Sequence, residues 1–78
     1  MTKGEIESGV AEAFRLALGH EVARGATRAS EPDWDSLKHM QLIFLMEEKF
    51  GMQFSEEEIA SLASFQEFVD RLQKRYES

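Results

Sequence analysis

Apolar residues recur at helical spacing along most of this chain, and the stretches between them carry helix-start and helix-stop signals. Ile6, Val10, Ala13, Phe14 and Ala17 make one stripe. Thr2-x-x-Glu5 has the form of a capping box at its start, and Gly19 suits its end, so a helix is predicted over Lys3–Leu18. Gly9 lies inside it, at a cost of about 1 kcal/mol relative to alanine. A second helix is predicted over Ser36–Phe50, with Asp35 as N-cap and Gly51 as stop signal. Ser55-x-x-Glu58 then opens a short helix with Ile59 and Leu62 on its apolar edge, reached through an extended link, Gly51–Phe54. Ser64-x-x-Glu67 opens a last helix whose stripe is Phe65, Phe68, Val69, Leu72 and Tyr76, with Lys74 and Arg75 at its C-terminal end. Strand signals are weak throughout. The expectation is a single all-α domain over residues 1–78, a bundle of three longer helices and one short third helix.

Two features exceed what a small bundle needs. The first is the connection His20–Trp34, broken by Gly25, Thr27, Ser30 and Pro32 and longer than a helix–helix turn requires. It must cross the domain or carry function, and Val22 is expected to pin it to the core. The second is the division of the second helix into two apolar groups. At about 100° per residue, Leu42, Ile43, Met46 and Phe50 share one side, with His39 at its upper end. Leu37, Met40 and Phe44 fall elsewhere, among Gln41, Glu47 and Glu48. One apolar face is enough to build a core. The second either packs under the long loop or binds a partner. Leu45 fits neither group.

Composition narrows the chemistry. There is no cysteine, which excludes disulfides, thiolate metal sites and any intrinsic thiol chemistry. Fifteen acidic against nine basic side chains leave a net charge of −6, a poor match for nucleic acid, whose phosphates need a basic patch. The acidity either keeps a small protein dispersed or steers a basic partner. The longest apolar run, Leu42–Met46, is too short to span a membrane. Met1–Glu5 has no apolar signal region, so a soluble, cytoplasmic monomer is expected.

The two histidines, His20 and His39, are far apart and form no metal cluster. His20, just past a helix end, reads as a C-terminal cation or a solvated residue. Ser36 and His39 stand three apart and share a helix face, but neither an orienting acid nor an oxyanion hole accompanies them, so catalysis is not expected. Ser36 offers something else. A hydroxyl at a helix N-terminus lies beside free backbone N–H groups that favour a negative substituent such as a phosphodiester. The plainer reading is that Asp35 and Ser36 are only good helix-start residues.

The wider context bears on that choice. Asp35-Ser36-Leu37 opens a helix that closes on Glu47-Glu48-Lys49-Phe50-Gly51, after a long loop and before a short acidic helix and a final amphipathic one. This order and spacing resemble the acyl carrier proteins, over essentially the whole chain from Lys3 to Tyr76. The resemblance implies a four-helix bundle with a long first loop. It implies that a phosphopantetheinyl transferase attaches 4′-phosphopantetheine from coenzyme A to Ser36, flanked by Asp35 and Leu37. The thiol of that arm would carry acyl groups as thioesters between acyl-loading and acyl-transfer enzymes with basic docking surfaces. By position, the recognition surface would be Leu37, Met40, Gln41, Phe44, Glu47 and Glu48, with Glu56 and Glu57. The acyl chain would enter beside His39, Ile43, Met46, Phe54 and Leu62.

The chain also departs from the fatty-acid carriers. Lys38 stands where an acid is usual, Gln41 lacks the usual charge, Trp34 replaces a small or aliphatic residue, and the glycine element before D-S-L is missing. These departures look more like a freestanding carrier of a specialised lipid, polyketide or secondary-metabolite pathway. An aminoacyl or D-alanyl carrier, or an unmodified helical interaction module with the same fold, stays open. Trp34 either recognises partners beside the arm or locks the loop onto the second helix; its large apolar area favours the lock.

Overall fold

Thr2 opens the first helix by the reciprocal bonding its spacing predicts. The Glu5 amide donates to Thr2 Oγ1 at 3.1 Å, and the Thr2 amide donates to Glu5 Oε1 at 2.9 Å. The structure, a computed structural model, describes residues Met1–Glu77. It contains α1 (Lys3–Leu18), α2 (Ser36–Phe50), α3 (Glu56–Ser61) and α4 (Phe65–Glu77). The fold is all-α, as expected, and among the described residues no strand forms. Helices α1 and α2 end on Gly19 and Gly51, both with positive φ (84° and 63°), a backbone state in which a side chain would be strained.

Helix α1 packs against both α2 and α4. Phe14 is at the centre, with ring centroids 5.0 Å from Trp34, 5.4 Å from Phe65 and 5.8 Å from Phe68. The three phenylalanines are fully buried, and each contributes about 1.5–3 kcal/mol of apolar transfer energy. Gly9 has a packing reason. A Cβ there would lie 2.6 Å from Phe50 Cζ, so the missing side chain is what lets α2 approach α1.

The long connection crosses the domain and is held at both ends. His20 Nε2 lies 3.2 Å from Asp33 Oδ2, which draws the start of the loop to its end. Val22 packs partly buried against the core, while Ala26 and Trp34 are fully buried. The loop also pairs with the α3–α4 link. The Arg28 amide donates to the Ala63 carbonyl (2.8 Å) and the Phe65 amide to the Ala26 carbonyl (3.0 Å), around an isolated antiparallel bridge between Thr27 and Ser64. The expected third capping box forms only by half. Ser64 Oγ accepts from the Glu67 amide, but the Glu67 carboxylate accepts from the Ala63 amide at 3.2 Å.

Helix α3 has no buried residue of its own. It is held from outside: Glu58 meets Arg75 (2.7 Å) and Arg71 (3.4 Å) on α4, and Leu62, just beyond the helix, is buried. The third tie runs through His39 and belongs to the site.

Candidate functional site

Asp35 is the N-cap of α2, with Oδ1 accepting from the Lys38 amide at 2.9 Å. Ser36 is therefore the first helical residue, exposed, with its hydroxyl at the end where backbone N–H groups lack helical acceptors. The loop brings a cation to it. Arg28 Nη2 donates to Ser36 Oγ at 3.2 Å. Nothing in the sequence signals that contact, because Arg28 lies eight residues away in an aperiodic stretch and its position is set by the long-range Thr27–Ser64 bridge together with the Thr27–Ser30 turn.

One turn further on, the helix turns inward. His39 is buried (5% exposed) and so is Trp34 (3%). An indole N–H can only donate, so Trp34 Nε1–H donates a hydrogen bond to His39 Nδ1 at 3.0 Å. The other ring nitrogen of His39 then carries the hydrogen, and Nε2–H donates to the Ile59 carbonyl at 2.6 Å. The two rings stack with centroids 5.9 Å apart. His39 thus joins the loop, α2 and α3 through one neutral ring. Trp34 locks the loop. Because both His39 nitrogens are taken and Ser36 Oγ faces Arg28, the imagined Ser36–His39 pair does not form.

The two sides of α2 separate as the sequence pattern indicates. Ile43, Met46, Phe54 and Leu62 are buried alongside His39. Leu37 (66% exposed), Phe44 (61%) and Met40 (37%) are left in solvent, so they do not pack under the loop. Gln41 and Glu48 stand exposed beside them, and Glu56 and Glu57 are exposed at the start of α3. Glu47 differs from its acidic neighbours. It is half-buried, and its Oε2 accepts from the Phe54 amide at 2.9 Å, which fixes the extended link onto α2. A shallow groove lined by Phe44, Glu47, Glu48, Met52 and Gln53 continues the face toward the end of the helix. Leu45, between the two sides, is partly buried against the core.

Among the described residues, every buried side-chain nitrogen and oxygen has a hydrogen-bond partner, and no cluster of three or more His, Asp or Glu could hold a metal ion. No helix among them is long and apolar enough to cross a membrane. His20 titrates above its ordinary value because the Glu21 carbonyl accepts from Nδ1 and, less strongly, because Asp33 and Glu31 lie beside it. Burial pushes the Glu58 carboxyl upward, but bonds from Ser55 and Arg75 outweigh it, and the net shift is downward. No protein-family model matches this chain, and no curated protein matches it.

Proposed function

We propose that this protein is a carrier of the acyl-carrier type, with 4′-phosphopantetheine esterified to Ser36. The observation that carries the reading is the setting of Ser36. It is an exposed hydroxyl on the first turn of α2, beside a guanidinium, at the head of a helix with Leu37, Met40 and Phe44 exposed. The donor set fits the group: Arg28 and the unsatisfied amides of the first turn all favour an anion attached to Oγ. When bound, the group supplies the thiol that this cysteine-free chain lacks.

The chain's own residues present and guide that arm. Asp35 holds the first turn, so that Ser36 projects from a rigid element. Leu37, Met40 and Phe44 seat in an apolar partner groove, while Glu48, Glu56 and Glu57 meet lysines and arginines around it. Tethering the cargo raises its effective concentration at each docked enzyme. His39, Ile43, Met46, Phe54 and Leu62 are tightly buried, so a cargo chain entering there displaces packed side chains. The departure at Trp34 bears on that internal side, because Trp34 bonds His39 within the core. It suits a carrier of a specialised pathway.

Coexpression with a broad-specificity phosphopantetheinyl transferase, followed by intact-mass measurement, tests the reading. The expected result is a gain of one phosphopantetheinyl group, abolished in Ser36→Ala. No gain, or a gain that persists in the variant, overturns it. Loading with acyl-activating against aminoacyl-activating enzymes then separates an acyl from an aminoacyl carrier. The exposed Leu37/Met40/Phe44 face also supports an unmodified interaction module; that reading requires partner binding that survives Ser36→Ala in protein carrying no arm.

A further inference from the structure

We propose that Arg28 is the positioning residue for the phosphodiester on Ser36, a guanidinium clamp that fixes the root of the arm against the long loop. The inference rests on the carrier reading above and adds to it a residue that the D-S-L pattern does not contain.

The argument starts from what Arg28 leaves undone. The protein carries fifteen carboxylates, yet among the described residues the Arg28 guanidinium forms no ion pair. Its side-chain bond goes to a neutral hydroxyl, Ser36 Oγ, at 3.2 Å. The nearby acids are otherwise engaged: Glu31 and Asp33 face His20, and Asp35 caps α2 through Oδ1. A guanidinium has five N–H donors in a planar fork, and one hydroxyl uses few of them. A phosphodiester on the same oxygen adds a negative charge and two non-bridging oxygens, the partner that such a fork matches best.

Arg28 is also held for this work. Its amide is bonded to the Ala63 carbonyl at 2.8 Å. Around it, Thr27 and Ser30 close a tight turn, the Thr27 amide donating to Ser30 Oγ (2.9 Å) and the Ser30 amide to Thr27 Oγ1 (3.1 Å). The side chain is half-buried, so its charge is screened less than that of a free surface arginine. The long loop therefore has a task beyond crossing the domain: it delivers a cation to the modified serine.

The test uses the intact protein after modification, verified by mass, with ³¹P NMR of the phosphodiester as readout. In the native modified protein the ³¹P resonance is expected away from its position in the same protein unfolded in urea. In Arg28→Gln it should move most of the way to that unfolded position, and in Arg28→Lys part of the way. Rising salt should shift the native signal in the same direction. Far-UV circular dichroism and Trp34 fluorescence of both variants are expected to match the parent, because main-chain bonds hold the loop. If Arg28→Gln fails to fold, Arg28→Lys and the salt series decide. A mass gain with the parent's native ³¹P position unchanged in both variants refutes the clamp and leaves the carrier reading standing. No mass gain at all overturns both.

Discussion

Replacing Trp34 by phenylalanine tests whether the buried indole–imidazole bond is what ties the loop to α2 and α3. The substitution keeps a ring against Phe14, whose centroid lies 5.0 Å from that of Trp34, but it removes the Nε1–H donor. His39 Nδ1 is then an orphaned acceptor in a site where the ring is 5% exposed. Leaving a buried polar group unsatisfied costs about 1–3 kcal/mol. The smaller ring adds about 1 kcal/mol for lost apolar contact. The expected loss is therefore about 2–4 kcal/mol. A domain of this length has about 4–12 kcal/mol in all, so Trp34→Phe should remove a large share. Urea unfolding followed by far-UV circular dichroism measures it without needing the lost tryptophan. His39→Leu and the double variant complete a thermodynamic cycle. Since each single change spoils the same bond, the double variant should be less destabilised than the sum by about 1 kcal/mol or more. A loss below about 1 kcal/mol in Trp34→Phe, or additivity within about 0.5 kcal/mol, would refute the reasoning.

Further outcomes follow from other contacts. Gly9→Ala should recover about 1 kcal/mol of helix propensity. Its Cβ would meet Phe50 at 2.6 Å, however. Overpacking costs about 1–3 kcal/mol, so the urea midpoint should not rise. The raised titration of His20 means that its tie to Asp33 is fully present below the ordinary value of 6.5 and is lost as pH climbs through the higher folded value. Amide exchange near Asp33 and Trp34, corrected for intrinsic rates, should lose protection over that range, and His20→Asn should abolish the pH dependence. Glu58 works in the opposite sense. Its folded value lies below 4.5, so its stabilisation is present above 4.5 and is lost as pH falls through the folded value. Thermal unfolding across that range should show the loss in the parent and a flatter profile in Glu58→Gln, with α3 amides the first to exchange.

Much of this molecule follows from local patterns. Helices α1 and α2 begin and end where Thr2, Asp35, Gly19 and Gly51 place them, because caps and left-handed stops act within a few residues. The split of α2 into a buried and an exposed apolar side follows from helical geometry, and the structure leaves Leu37, Met40 and Phe44 outside. Ser36 as an exposed first-turn hydroxyl was legible in the same way.

Other features depend on where distant segments come to rest. Arg28 reaches Ser36 from a loop held by the Thr27–Ser64 bridge, and no periodic signal in His20–Trp34 specifies that register. The ring of His39 is useful only between a donor from the loop and an acceptor from α3, twenty residues further on. Glu47 reads as one more acid on a docking face until the Phe54 amide arrives to occupy it. Gly9 reads as a local cost until Phe50 packs over it. The helices, their caps and the direction of their faces are therefore legible in residue order, since those are set by neighbours along the chain. Tertiary structure alone decided which polar groups meet around Ser36 and His39, because a hydrogen bond depends on positions fixed by packing at long separation.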